Sequence, residues 1–222
     1  MEAIPILKAQ GLCKSFGAVI AAADISAVIE KDAVVGLIGA NGAGKTTFIN
    51  MITGYLKPSS GTIHFQDRDI TPLPPREITR LGVCRSFQIP QLYDSLSVEE
   101  NIRVGLGIVS MANRKSLFSR GPKNGSAAGD AAESIMERFG LLDYRNKPAM
   151  VLPGGVRKLL DIAMSMVGKP QIMLLDEPTS GINADQKFGI MDMIMEALRA
   201  EGVTVLFVEH DMDIVSRYSG RV

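Results

Sequence analysis

The chain has 222 residues, balances 24 basic against 24 acidic side chains, and suits one domain with a core of its own. This balance gives no overall basic field, so no nucleic-acid partner is expected. The two cysteines form no metal-ligand pattern, which favours a reduced, cytosolic setting, and no apolar run is long enough to span a membrane.

The first third of the chain predicts short antiparallel strands. Residues 4 to 35 alternate short apolar runs with turns, and residues 62 to 65 follow the turn at 58 to 61 as a further strand. The prolines after it, Pro72, Pro74 and Pro75, indicate a loop.

Residues 39 to 47 match the phosphate-binding pattern G-x-x-x-x-G-K-[ST], between an apolar strand at 34 to 38 and a helix-spaced apolar run at 48 to 52. The glycines let backbone N–H groups turn toward phosphate oxygens, and the start of the helix adds the positive end of its dipole. Lys45 would reach the β- and γ-phosphates, and Thr46 offers a hydroxyl to Mg²⁺. The predicted nucleotide-binding residues are Gly39, Asn41, Gly42, Ala43, Gly44, Lys45, Thr46 and Thr47.

The middle of the chain predicts helices and one surface loop. Residues 97 to 100 form a capping box that opens a helix, and residues 119 to 129 have the composition of a loop. Asp130 is expected to cap a helix that continues to Phe139, and residues 154 to 168 are expected to be helical.

Strand and helix patterns alternate in the second half, which favours a parallel sheet covered by helices. Residues 172 to 175 and 203 to 208 are apolar enough to be buried strands. Between them, apolar side chains from Phe188 to Leu198 step by three and four, as in an amphipathic helix.

Two carboxylates, Asp176 and Glu177, follow the first of these buried strands. An aspartate at such a strand end can hold the Mg²⁺ shell, and a neighbouring glutamate can orient and deprotonate a water for attack on a γ-phosphate. Together with the phosphate-binding loop, this pair predicts ATP hydrolysis rather than transfer to a second substrate.

With these motifs the chain resembles the ATP-binding-cassette (ABC) ATPases from about residue 4 to its end. Further matches to the family stand in the family's order: Phe16 at the adenine-stacking aromatic, Gln88 at the Q-loop, residues 152 to 156 at the signature, residues 180 to 183 at the D-loop and His210 at the switch histidine. Within the family, three stretches are most similar to the ATPase subunits of branched-chain amino acid importers: residues 85 to 106, the long segment that continues through Phe118, and residues 209 to 212.

This resemblance implies roles for the matched residues. Gln88 would touch Mg²⁺ and the attacking water, and His210 would bind the γ-phosphate. Phe16 would stack on adenine, since an aromatic face suits a flat base, although it could also be a core residue. Gly154 and Gly155 would offer backbone N–H groups to an anion at a helix N-terminus.

The resemblance also implies a fold and partners. The expected fold class is α/β, with a phosphate-loop core on a mainly parallel sheet and an N-terminal antiparallel β-subdomain. A helical subdomain, inserted at about residues 89 to 165, completes a single domain over residues 1 to 222. Two such subunits would sandwich ATP with Mg²⁺, and permease subunits would hold them at the inner face of the cell membrane.

Three departures from the family pattern leave alternatives open. Pro153 replaces the signature serine, Val156 replaces the glutamine, and Asn183 stands where an aspartate is common. These departures leave open a catalytically weak subunit whose ATP holds a complex together. A separate alternative is a cassette ATPase not coupled to transport. The importer subunits continue beyond the position of Val222, so the chain is expected to be either shortened or naturally short.

Overall fold

A computed structural model describes residues 4–86, 88–113 and 125–222. The strands are β1 (Pro5–Phe16), β2 (Val19–Glu30), β3 (Val34–Leu37), β4 (Ser60–Phe65), β5 (Arg68–Asp69), β6 (Val83–Ser86), β7 (Ile172–Asp176) and β8 (Thr204–Val208). The helices are α1 (Lys45–Ile52), α2 (Pro75–Arg80), α3 (Val98–Asn113), α4 (Gly125–Arg138), α5 (Gly154–Met166), α6 (Lys187–Ala200) and α7 (Met212–Tyr218). Across the described ranges, no helix is both long and apolar enough to cross a bilayer.

The chain divides into two compact units. The first contains the chain as far as Arg85, together with Pro170–Pro178 and Leu198–Val222. The second contains Ser86–Lys169 and Thr179–Ala197. All the strands belong to the first unit except for the last residue of β6, and most of the helical residues belong to the second.

The first unit has an antiparallel sheet with the strand order β2-β1-β4-β5. The long hairpin of β1 and β2 turns between Phe16 and Val19, which face each other across the pair. On its other side β1 pairs with β4, from Leu7 opposite Phe65 to Cys13 opposite Ser60. The predicted antiparallel strands at the start of the chain are therefore present.

The other sheet has the order β3-β8-β7-β6, and its β3–β8 and β7–β8 pairs are parallel. Every residue of β7 and β8 is buried, as expected for strands of a covered parallel sheet. The register places Leu37 of β3 and Asp176 of β7 opposite the same residue of β8, Val208. The segments that follow β3, β7 and β8 therefore leave the sheet at one common edge.

Both sheets share the apolar core of the first unit. Helix α1 contributes Phe48, Met51 and Ile52, which lie in one cluster with side chains from β1, β4, β7 and β8. These helix residues are spaced by three or four positions or adjacent in sequence, so one face of α1 is buried. This packing holds α1 in place, and with it the phosphate-binding loop that leads into the helix.

In the second unit, helix α3 contacts both α4 and α5. Helix α3 opens with the predicted capping box, because the Ser97 N–H donates to Glu100 Oε2 (2.8 Å) and the Glu100 N–H donates to Ser97 Oγ (3.2 Å). The fully buried Asn101 accepts the Tyr93 N–H and donates to the Tyr93, Leu96 and Ser97 carbonyls. Its amide thus fixes the loop that leads into the helix.

Two expectations about the helices are corrected. Helix α4 begins at Gly125, so Asp130 lies inside the helix and does not cap it; residues 119–124 of the predicted loop lie outside the described residues. Pro75 is not part of a loop but the first residue of α2. Proline is favoured there because its missing N–H would have no partner in the first turn, and its fixed φ suits a helix.

Candidate nucleotide-binding site

The first unit contains a hollow of about 280 Å³ at the edge where the parallel strands end. Its walls are formed by residues 41–47, Val19–Ala21 of β2, Glu177 and His210. Seven predicted nucleotide-binding residues and two predicted catalytic side chains are therefore brought together. These residues lie far apart in the sequence, and the register of β3, β7 and β8 brings them together.

The phosphate-binding loop has a backbone that only glycine adopts easily. Gly42 and Gly44 have φ values of 81° and 89°, in the left-handed region. A Cβ on Gly44 would also lie 2.6 Å from the Ala21 carbonyl oxygen of β2. Gly44 is the residue before α1, so the first N–H groups of this helix have no acceptors within it and stand at an anion-binding position.

Lys45 closes over the loop that carries it. Its ammonium donates to the carbonyl oxygens of Gly39 (2.7 Å) and Ala40 (3.0 Å). These carbonyls hold the ammonium group at the loop. The N-terminus of α1 lies at the same place and favours a negatively charged ligand. The arrangement supplies a positive charge and backbone N–H donors on the same side of the hollow.

Glu177 and His210 form the opposite side. The His210 Nε2 atom lies 3.2 Å from Glu177 Oε1, and the side chains are 43% and 25% exposed, respectively. The Glu177 N–H donates to the Val208 carbonyl (3.0 Å), which extends the β7–β8 ladder by one residue. The strand register thus sets this pair, and water can still reach both side chains.

Glu177 has a backbone φ of 47°, in the left-handed region that non-glycine residues rarely occupy. Such a conformation costs on the order of 1–3 kcal/mol and is retained where the surrounding structure holds it. Here it turns the chain away from the sheet directly after Asp176, so the two neighbouring carboxylates point to different surroundings. Asp176 is buried, whereas Glu177 lines the hollow.

Asp176 makes an ion pair inside the protein. Arg85 of β6 approaches it with Nη2 at 2.6 Å from Oδ2, and both side chains are at most 10% exposed. The same guanidinium donates through Nη1 to Asn50 Oδ1 of α1. One cation therefore connects the end of β7 to the helix that follows the phosphate-binding loop.

Phe16 is exposed at the tip of the β1–β2 hairpin, so the interpretation of this residue as part of the core is wrong. Its partner across the hairpin, Val19, lines the hollow, and the next residue, Ile20, is exposed as well. The Lys14 ammonium lies 5.3 Å from the centre of the Phe16 ring. These exposed apolar side chains offer a flat surface for a base.

The remaining predicted site residues belong to the second unit. Gln88 is exposed, two residues after the end of β6. Gly154 is exposed and Gly155 is buried, and they form the first turn of α5 after Pro153, which provides no side-chain cap. The N–H groups of this turn have no acceptors within the helix. The roles of these three residues stay predictions.

The predicted site residues did not include Arg85, Asn50 or the β2 segment Val19–Ala21. Asn50 lies five residues after Lys45, and the sequence pattern there indicates only a polar position of an amphipathic helix. Arg85 reads as an ordinary charge at the end of an apolar strand, although a charged residue between buried neighbours is itself a signal that a partner is needed.

Comparison with known proteins identifies the same organisation. The family described as ABC transporter matches residues 22–180 of this chain, well over half of it. The chain is 37% identical over 224 aligned residues to the high-affinity branched-chain amino acid transport ATP-binding proteins LivG of Escherichia coli and Salmonella typhimurium. These alignments cover 98% of this chain and 87% of the relatives.

Solved structures give the same result. One is a crystal structure of the ADP conformation of MJ1267, an ATP-binding cassette of an ABC transporter, which matches with a TM-score of 0.80 and 32% identity over 97% of this chain and 85% of that one. Another is cbiO1 from Clostridium perfringens, with a TM-score of 0.83 and 28% identity over 99% of this chain and 87% of that one.

Proposed function

Because this chain belongs to the ABC transporter family, whose cassettes are ATPases, we propose that it is the ATP-hydrolysing subunit of a membrane importer. The proposed cargo is a branched-chain amino acid or a related small polar solute, as the names of the LivG relatives suggest. The observation that carries the ATPase proposal is the hollow in which the phosphate-binding loop faces Glu177 and His210.

The phosphates of ATP would lie on the loop at residues 39–47. The N–H groups before and within the first turn of α1 would donate to phosphate oxygens. Lys45 would exchange its bonds to Gly39 and Ala40 for bonds to the β- and γ-phosphates. The base would then lie toward the hairpin tip, where Phe16, Val19 and Ile20 are exposed.

The oxygen donors at this site suit Mg²⁺, which prefers hydroxyl, carboxylate and water ligands. Thr46 is an exposed residue at the start of α1, and Asp176 is a buried carboxylate whose Oδ2 already has a cationic partner. Gln88 would complete the set. When bound, Mg²⁺ would neutralise negative charge on the β- and γ-phosphates.

Glu177 would act as the general base. Its carboxylate lines the hollow, so it can hold a water beside the γ-phosphate and take the proton as the water attacks. His210 contacts this carboxylate at 3.2 Å and would exchange that contact for a bond from its ring N–H to the γ-phosphate when ATP binds. No covalent intermediate is expected, because phosphoryl transfer of this kind relies on positioning and charge stabilisation.

A second cassette subunit is the proposed partner at the first turn of α5. The N–H groups of Gly154 and Gly155, which have no acceptors within the helix, would face the γ-phosphate held by the other subunit. Closure of two such subunits on ATP would drive the permease, and hydrolysis would reopen them.

Permease subunits are the proposed partners of an apolar surface on the second unit, made by Ile89, Tyr93, Met150 and Val151, each 45–74% exposed. The two segments that carry them are joined, since the Met150 N–H donates to the Asp94 carbonyl (3.0 Å). An exposed apolar cluster of this kind marks a contact surface. Through it the subunit would sit at the inner face of the cell membrane.

A catalytically weak assembly subunit is the second candidate, and Pro153 favours it. Proline at the signature position offers neither a hydroxyl nor an N–H to the nucleotide of the partner subunit. In that case ATP would close the complex and turnover would remain slow even with the permease present.

Steady-state MgATP hydrolysis by the purified chain, alone and reconstituted with its permease, tests the proposal. We expect turnover to rise when the permease is present. Glu177→Gln should abolish turnover but leave the affinity for ATP unchanged, because the amide can hold the water but cannot take its proton. Glu196→Gln, which changes an exposed glutamate on α6, should behave like the parent. Equal turnover in Glu177→Gln and the parent would remove Glu177 from the proposed role.

A further inference from the structure

The ion pair of Arg85 with Asp176 lies where the proposed function places a metal. The distance from Arg85 Nη2 to Asp176 Oδ2 is 2.6 Å, and the exposed fractions of the two side chains are 10% and 7%. A carboxylate buried to this extent is costly to keep ionised without a nearby positive charge. Arg85 supplies that charge from the neighbouring part of the same unit.

The guanidinium is itself held in place. Nη1 donates to the side-chain carbonyl of Asn50, in the middle of α1, while Nη2 is directed to Asp176. A guanidinium is planar and presents its donors in a fixed fork, so two partners at different nitrogens set its orientation. The positive charge therefore cannot swing away from Asp176 without breaking the bond to α1.

We propose that Arg85 is the resident counter-ion of Asp176 and limits how tightly this site holds Mg²⁺. The inference rests on the proposed function, in which Asp176 belongs to the metal shell. A fixed positive charge beside that carboxylate occupies one of its oxygens and repels a divalent cation when one arrives. Arg85 is thus a positioning residue that tunes metal affinity and is not itself catalytic.

The proposal predicts the effect of removing only the charge. Arg85→Gln keeps N–H donors for Asp176 and Asn50 but carries no charge, so the repulsion disappears while a hydrogen bond can remain. Arg85→Lys keeps the charge as a point ammonium but cannot reproduce the fork. Metal affinity should therefore rise in the glutamine variant and stay near the parent value in the lysine variant.

The measurement is the affinity of a non-hydrolysable ATP analogue by calorimetry, with Mg²⁺ and with EDTA. The ratio of the two dissociation constants gives the factor by which Mg²⁺ strengthens binding. We expect this factor to increase roughly three- to thirtyfold in Arg85→Gln, an order-of-magnitude range for one charge at a partly screened distance. Arg80→Gln removes an exposed arginine of the same unit and should leave the factor unchanged.

The possible results separate the proposals. If the role of Arg85 is purely structural, both variants will have a lower melting temperature, and the factor by which Mg²⁺ strengthens binding will be unchanged. This result would overturn the inference. A reduced factor in folded Arg85→Gln would overturn it too. If Arg85→Gln does not fold, Arg85→Met, which keeps an unbranched side chain without the charge, decides in its place: a raised factor supports the inference and the parent factor contradicts it. If the parent protein binds the ATP analogue equally well with Mg²⁺ and with EDTA, that result would instead contradict the proposed metal site itself.

Discussion

At the scale of single residues, the site is built from side chains whose surroundings define their tasks. Lys45 rests on two carbonyls of its own loop, so its charge is already placed before any phosphate arrives. Glu177 is turned by a left-handed backbone and meets His210, while its neighbour Asp176 stays buried against Arg85. Adjacent carboxylates can therefore serve different steps.

Lys45→Ala should abolish tight ATP binding, because it removes the charge-assisted contact to the phosphates. Loss of such a contact costs about 2 to 5 kcal/mol when the remaining charge is left without its partner. Calorimetric titration with MgATP measures the effect. Lys31→Ala, which removes an exposed lysine of the same unit, is the matched control and should bind like the parent. Equal affinity in Lys45→Ala would refute the placement of the phosphates on this loop.

At the scale of elements, hydrogen bonds and ion pairs fasten the helices of the second unit. Arg145 lies between two acidic side chains, with Nε at 2.7 Å from Glu99 Oε2 on α3 and Nη1 at 3.4 Å from Glu133 Oε2 on α4. Arg103 adds a contact of 3.1 Å to Glu99. The hydrogen bond from Arg145, followed by the charges of Arg145 and Arg103, lowers the pKa of Glu99.

This shift predicts a pH dependence of stability. Because the pKa of Glu99 is lower in the folded protein, the unfolded chain binds a proton first, and the contribution of the pair is lost as the pH falls through the folded pKa. Glu99→Gln should lower the free energy of unfolding by about 0.5–1 kcal/mol at pH 7, a modest value because water screens the third of Arg145 that is exposed. The difference from the parent should shrink below pH ~4.3.

Urea unfolding at several pH values between 3 and 7 measures this difference. Glu137→Gln provides the control, since it changes an exposed glutamate of α4 in the same unit. Its stability should follow the parent at every pH. A Glu99→Gln difference that is independent of pH would show that packing, and not the charge of Glu99, stabilises the contact.

At the scale of the whole molecule, function depends on a partner that completes the site. The first turn of α5 begins at Pro153, whose φ of −56° and ψ of 150° are values that serine also adopts at the start of a helix. The turn has N–H groups without acceptors in the helix itself, and no side chain caps it. The signature therefore keeps its backbone donors and lacks only the hydroxyl.

Pro153→Ser should strengthen ATP-dependent dimerisation in a Glu177→Gln background. A hydroxyl contact to a phosphate nets roughly 1.5 to 3 kcal/mol and a neutral one roughly 0.5 to 1.5, so the gain should be several-fold to about a hundredfold. Light scattering across a concentration series with ATP and Mg²⁺ measures the dimer. Weaker dimerisation would contradict the assignment of residues 152 to 156 as the surface that faces ATP.

The matched variant is Pro153→Ala, which removes the proline ring without adding a hydroxyl. Serine can also cap α5 and stabilise the subunit by about 0.5–2 kcal/mol, so thermal unfolding of each monomer has to be compared alongside. Dimerisation by Pro153→Ala equal to that of Pro153→Ser would assign the gain to the backbone and not to a phosphate contact.

The sequence by itself determined the parts of the site that lie close together along the chain. The loop at residues 39–47, the capping box at Ser97 and the acidic pair after β7 follow from short-range geometry, because glycine conformations, helix starts and strand ends depend on neighbouring residues. The family and the antiparallel and parallel sheets follow from the same local patterns in their order. The fold confirms the two expected sheets, and the family match confirms the expected family.

Only the tertiary structure decided which distant residues meet. The strand order β3-β8-β7-β6 brings Glu177 to His210, 33 residues away, and Asp176 to Arg85, 91 residues away. No local pattern encodes these pairs, because a parallel sheet joins strands through long crossovers and its order depends on the packing of the whole core. The pairing of Arg85 with Asp176 therefore follows from the placement of β6 and β7 in one sheet, and the sequence alone does not predict it.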